Sequence, residues 1–129
     1  MEGKTVVRTE NAPAPFQGAP YSQAITAGGL VFVSGQLGLK PDHAEMVGDS
    51  IAEQTEQVMQ NLAAILSAAG SGLDRLVKTT VFLTNLDDFQ GMNEVYARHV
   101  GEQPPARATV EIGRLPSGAL VEIEAVALA

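Results

Sequence analysis

The segment Ser50-Ile-Ala-Glu-Gln-Thr-Glu-Gln-Val-Met-Gln-Asn-Leu-Ala-Ala-Ile-Leu-Ser-Ala-Ala-Gly70 reads as one complete helix with both ends marked. Ser50 and Glu53 form a Ser-x-x-Glu capping box, in which each side chain satisfies a backbone N–H that the first turn leaves unpaired. Ile51, Val58, Leu62, Ile65, Leu66 and Ala69 recur at helical spacing, so one face is apolar. Gly70 stands where a left-handed C-terminal cap belongs. Downstream, Leu76–Thr84 is rich in β-branched residues and predicts a strand. Asn85 can cap a second helix, with Phe89, Met92, Tyr96 and Val100 on one stripe and Gly101 after it. Gly91 lies inside that helix at a cost of about 1 kcal/mol relative to alanine. Arg107–Ile112 and Leu120–Leu128 predict two closing strands, joined by a turn containing Pro116, Ser117 and Gly118.

Upstream, Pro41–Asp49 is a mostly polar loop. Ser22–Thr26 and Leu30–Ser34 predict two strands around the Gly28-Gly29 turn. Thr5–Arg8 predicts a short strand, followed by a loop holding Pro13, Pro15, Gly18 and Pro20, because each proline removes a donor and disfavours helix. The order is β, β, β, α, β, α, β, β with short connections and neither linker nor internal repeat. That order describes a single α+β domain over residues 1–129.

The predicted sheet faces carry a further consequence. In Leu76–Thr84, Val77, Val81 and Leu83 share one face, while Leu76 and Phe82 occupy the other. In the last strand Val121, Ile123, Ala125 and Ala127 face one way; Val126 and Leu128 join Glu122 and Glu124 on the other. Two helices can cover only one face. The second is too apolar to leave wet, so another subunit is expected to cover it, a folded-back loop being the alternative.

The 129 residues carry a net charge of −7, with 45% hydrophobic and 18% charged residues. A chain of this size buries about two-thirds of its unfolded surface and supports a core without staples. It has no cysteine, which removes disulfide scaffolds, iron–sulfur clusters, thiolate zinc sites and cysteine nucleophiles. The acidic balance argues against nucleic acid as a partner, since that affinity comes mainly from lysine and arginine on phosphates. No segment approaches the roughly 20 apolar residues of a membrane span, and the first residues lack the apolar core of a signal peptide. A cytoplasmic protein without membrane contact is therefore expected.

Most chemical motifs are absent. There is no Gly-x-x-x-x-Gly-Lys phosphate loop, and Gly70-Ser71-Gly72 stops short of the dinucleotide fingerprint because Arg75 sits where its last glycine belongs. Ser34 lies in Val33-Ser34-Gly35 rather than Gly-x-Ser-x-Gly. His43 and His99 have no ligand-like neighbours, so no metal site is expected, and His99 reads as a polar helix-end residue. What remains is an arginine and a glutamate, Arg107 opening one strand and Glu122 lying in the next. On spacing alone, a cross-strand ion pair is the commoner reading of such residues.

Pro105-Ala106-Arg107, its spacing to Gly113 and Leu115, and Val121-Glu122-Ile123 resemble the signature of the RidA (YjgF-type) reactive-intermediate deaminase family. Thr9-Glu10-Asn11-Ala12-Pro13, Pro20-Tyr21-Ser22-Gln23-Ala24, Val33-Ser34-Gly35-Gln36, Asn61-Leu62, Ala68-Ala69-Gly70, Val77-Lys78-Thr79-Thr80-Val81-Phe82, and Asn93 with Tyr96 extend the resemblance over essentially the whole chain. It implies a chorismate-mutase-like fold, a mixed six-stranded sheet with two helices on one face, assembled as a homotrimer with active sites between subunits. The implied reaction is hydrolysis of 2-imino acids such as 2-iminobutanoate and 2-iminopropanoate, and of their enamine tautomers, to 2-keto acids and ammonia.

In that reading Arg107 offers a bidentate fork to the substrate carboxylate. Glu122 orients or deprotonates the attacking water and passes a proton to the departing amine. Tyr21 covers the site, Ser34 and Gly35 line it, and Asn93 and the backbone at Thr109 contact the water or imine nitrogen. No cofactor is needed, because an imine carbon is already electrophilic. Aminoacrylate and aminomuconate are further candidate substrates in the same class. An endoribonuclease that inhibits translation and a non-catalytic ligand-binding or chaperone-like trimer stay open as functions of a different kind. The charge, the lack of a histidine pair and the few aromatics argue against the endoribonuclease. Ala19 stands where many members have glycine, and His99-Val100 where an aromatic pair is common.

Overall fold

The computed structural model describes residues 3–42 and 45–129. Six strands, β1 (Thr5–Val7), β2 (Ala24–Ala27), β3 (Leu30–Gln36), β4 (Leu76–Leu83), β5 (Ala106–Glu111) and β6 (Val121–Leu128), form one sheet in the order β1-β2-β3-β6-β4-β5. Two helices, α1 (Ile51–Ala68) and α2 (Phe89–Val100), complete the α+β architecture. The β4–α2–β5 connection returns the chain in the same direction, so β4 and β5 pair in parallel while every other pair is antiparallel. The sheet is therefore mixed.

Both caps of α1 take the form that its sequence predicts. Ser50 Oγ accepts from Glu53 N–H, the Glu53 carboxylate accepts from Ser50 N–H, and Gly70 adopts φ 79°. Asn85 accepts from Asp87 N–H and opens a 3-10 turn, Leu86–Asp88, that leads into α2. Gly91 has a spatial reason: a Cβ there would lie 2.7 Å from Ile51 Cγ2, so the glycine lets α2 approach α1.

The core lies between helices and sheet. Val58, Met59, Leu62, Ile65 and Leu66 of α1 and Met92 and Tyr96 of α2 pack on Val31, Val81, Leu83, Val121, Ile123 and Ala127. Two expectations fail here. A bulge between Leu76 and Lys78 inserts one extra residue against β6, which reverses the alternation: Leu76 packs with the core, and Val77 is 43% exposed. Phe89, read as part of the α2 core stripe, begins the helix at the sheet margin and is 37% exposed.

The other face of the sheet is uncovered. Val6, Ile25, Phe32 and Val126 lie in register across four strands, flanked by Leu128 on β6, with Val110 near the other edge. Val6, Phe32, Val110 and Leu128 are between 42% and 46% exposed. The row from Val6 to Val126 with Leu128 is an apolar surface of the kind that marks an interaction site, and Val110 stands apart from it beside Phe82.

Candidate functional site: two residue groups on opposite faces

Strand parity places Glu122 on the uncovered face, because Val121 and Ile123 are fully buried on the helix side. Its carboxylate lies against the backbone of Gly35. An added Cβ there would stand 2.7 Å from Glu122 Cδ and 2.9 Å from Oε1. Gly35 sits in the irregular pairing between Val33 and Gln36, where β3 departs from regular register with β6. Burial pushes the Glu122 carboxyl above its ordinary range, and the neighbouring Glu124 adds to that shift. An acid so placed is a better proton acceptor than an ordinary surface carboxylate.

Tyr21, Ser34, Gly35 and Glu122 line a cavity of about 410 Å³, walled also by Phe16 and Pro116. The loop carrying Tyr21 is fastened from beneath by buried Gln23, whose Nε2 donates to the carbonyls of Thr9 and Pro13 while its Oε1 accepts from Thr9 N–H. Tyr21 Oη accepts from Phe16 N–H at 2.6 Å, which leaves its own proton free to donate. Ser34 Oγ donates to the Ser22 carbonyl at 2.6 Å, so its proton is already committed.

Arg107 lies on the helix face instead. It pairs in register with Thr79, which is fully buried on that face. Its guanidinium carbon is 4.9 Å from the Tyr96 ring centroid and 5.6 Å from that of Phe89, with Met92 Sδ 4.0 Å from Nη1. Among the described residues no carboxylate is within ion-pairing distance of Arg107. Asn93, Tyr96 and Arg107 line a second cavity of about 370 Å³. Asn93 Oδ1 and Thr109 Oγ1 are both buried without a hydrogen-bond partner. Such orphaned atoms normally signal a missing ligand, water or partner.

Arg107 and Glu122 are therefore no cross-strand pair. They face opposite sides of the sheet, and β4 separates their strands. Tyr21, Ser34 and Gly35 gather with Glu122, whereas Asn93 and Thr109 gather with Arg107. Sequence reasoning missed Phe89 and Tyr96 as the cradle of Arg107: their helical spacing was visible but reads equally as core. It also missed Phe16 as a cavity wall and Glu124 as the charge beside Glu122.

His99 Nε2 lies 2.8 Å from Glu56 Oε1, tying the end of α2 to α1, and this bond pulls the Glu56 carboxyl below its ordinary range. His43 lies outside the described residues. Among the described residues no group of three metal-ligating side chains occurs, and no helix is long and apolar enough to cross a membrane.

Residues 9–129 match the family model described as Endoribonuclease L-PSP. A RutC family protein of Pyrococcus horikoshii is 51% identical over 124 residues, covering 96% of this chain and 97% of that one. Reactive Intermediate Deaminase A of Arabidopsis thaliana chloroplasts is 48% identical over 96% of this chain and 65% of its own length. The crystal structure of RidA from an Antarctic Psychrobacter superposes with a TM-score of 0.92 at 42% identity, covering 97% of this chain and 99% of that one. Escherichia coli TdcF, crystallised with bound serine, gives 0.89 at 36% identity, covering 97% and 98%.

Proposed function

The chain belongs to the endoribonuclease L-PSP family, the YjgF/RidA proteins, and on that premise we propose that it is a hydrolytic deaminase of 2-imino acids and their enamine tautomers. It acts as a homotrimer, in the cytoplasm, at sites built from two subunits. The separation of Arg107 from Glu122 carries this reading. One half-site holds a guanidinium without a carboxylate beside two orphaned acceptors, and the other a carboxylate pushed above its ordinary range. Docking the uncovered sheet face of one copy against the β5 edge of the next buries apolar surface on one and an edge strand on the other. The same movement brings opposite charges to one cleft.

In that cleft the neighbour's Arg107 grips the substrate carboxylate with its planar fork, and α-carbon and imine lie over Glu122. Glu122 takes a proton from water as the oxygen attacks the imine carbon. The carbon–nitrogen double bond becomes a single bond, and its electron pair stays on nitrogen. Return of that proton makes the nitrogen a neutral leaving group, and as the C–N bond breaks the hydroxyl gives its proton to Glu122 and its oxygen forms the new carbonyl, releasing ammonia and a 2-keto acid. Water is the only co-reactant, so no cofactor takes part. Tyr21, with its proton free, donates to the departing nitrogen or the carboxylate from the loop side. TdcF binds serine, which presents the same α-carboxylate and α-nitrogen as a 2-imino acid. RNA cleavage, named in the family's description, fits poorly with a net charge of −7 and with half-sites that contain no histidine.

Mixing two inactive variants tests both the chemistry and the shared site. Arg107→Met and Glu122→Gln, each purified alone, should release almost no ammonia from 2-iminobutanoate generated in situ. Reassembled in equal amounts, they should regain roughly one quarter of wild-type activity, since each mixed trimer restores one interface in three. No recovery from mixtures shown to have exchanged subunits refutes a site shared between copies. RNA cleavage by the wild type without imine hydrolysis refutes the deaminase reading.

A further inference from the structure

Thr79 of β4 and Tyr96 of α2 are motif residues to which the proposed chemistry itself gives no role, yet they meet directly beside Arg107. The parallel register of β4 and β5 sets Thr79 next to Arg107 on the helix face. Thr79 is fully buried, and its Oγ1 lies 2.7 Å from Tyr96 Oη. A buried hydroxyl pair acts as a fixed strut, because loss of either member leaves the other unsatisfied.

The strut ends on a ring that carries a cation. Tyr96 has only two side-chain torsions, and tethering its far end fixes the plane over which Arg107 sits at 4.9 Å. Phe89, two turns earlier on the same helix, holds the guanidinium from a second direction at 5.6 Å. Arginine otherwise loses considerable rotamer freedom when it engages a ligand. Here an aromatic cradle has already removed that freedom without neutralising the charge.

We propose that Tyr96, pinned by Thr79, and Phe89 are positioning residues that hold the Arg107 fork ready for the substrate carboxylate. The inference rests on Arg107 being the carboxylate ligand. It explains why a core position beside Arg107 carries a tyrosine, whose hydroxyl must find a partner, when phenylalanine would fill the same space. It also fixes which kinetic constant responds. The carboxylate keeps its charge and contacts from bound substrate through the transition state, so the cradle contributes equally to both and governs KM rather than kcat.

Tyr96→Phe and Thr79→Val should each raise KM for 2-iminobutanoate by about tenfold while kcat stays within about twofold. The double variant should be no worse than either single one, since both remove the same contact. Thr79→Ser, which keeps the hydroxyl, should restore KM. Phe89→Leu, at an exposed position that does not endanger folding, should also raise KM selectively. Circular dichroism and melting temperature report folding in every case. A lower Tm with KM unchanged would make the strut purely structural and overturn the proposal, as would an unchanged KM in Phe89→Leu. Arg107→Lys separates the two levels: if it leaves KM unaltered, the carboxylate reading itself fails, whereas a large effect there beside normal Phe89 and Tyr96 variants refutes only the cradle.

Discussion

Gly35→Ala isolates the placement of Glu122 from its chemistry. Gly35 does not lie in the left-handed region, so a side chain is barred by space alone. The new Cβ would stand 2.7 Å from Glu122 Cδ and 2.9 Å from Oε1. Carbon atoms pack at about 3.5–4.0 Å, so the carboxyl must retreat by about 1 Å. The group that yields is the free end of a flexible side chain, which keeps the cost to stability below about 1 kcal/mol, partly offset by the lower unfolded-state entropy of alanine. Activity is another matter, since a displacement near 1 Å at a reacting group costs on the order of 100-fold. Ammonia release from 2-iminobutanoate should fall accordingly, with Tm almost unchanged. Gly38→Ala is the contrasting control: its Cβ would meet the Gln54 backbone at 2.9 Å, and a helix backbone cannot step aside. That variant should lose about 1–3 kcal/mol of stability. Full activity in a folded Gly35→Ala protein would refute the claim that Gly35 seats the carboxylate.

Three further outcomes are expected. Arg107→Lys keeps the charge but loses the bidentate fork, and should lower kcat/KM by about 30-fold or more, measured on the same substrate. Glu122→Gln should abolish turnover yet leave the fold at least as stable at neutral pH. The raised Glu122 pKa means that its contribution to stability is fully present below the unfolded value near 4.5 and is lost as pH rises through the folded pKa. The Tm difference between variant and wild type should therefore shrink on acidification, and a difference that grows as pH falls contradicts the assignment. Gly91→Ala should destabilise by about 1 kcal/mol in chemical denaturation, despite alanine's better helix propensity, because its Cβ collides with Ile51. In an Ile51→Ala background, which lacks the colliding Cγ2, the same change should cost nothing further.

The α1 boundaries were legible in the sequence because they depend on local chemistry: a capping box needs residues three apart, and a glycine cap needs one. The same holds for the order of elements along the chain and the apolar second face, which follow from propensity and alternation. Alternation failed at Val77, since a bulge arises from how β4 meets β6 and leaves no mark in β4 alone. Phe89 was visible on its stripe, but only the position of β5 decides that its ring meets Arg107 rather than the core.

The site divides along the same line. Arg107, Glu122, Tyr21, Ser34, Gly35, Asn93 and Thr109 could be selected from motif resemblance. Their distribution into two groups could not, because it depends on the strand order β6-β4-β5 and on the parity with which each strand enters the sheet. Sequence by itself determined the elements, their caps and the residue types capable of the chemistry, all of which are set by contacts within a few residues. Tertiary structure alone decided that the arginine and the glutamate face apart, since pairing between distant strands fixes direction in space and no local interaction encodes it.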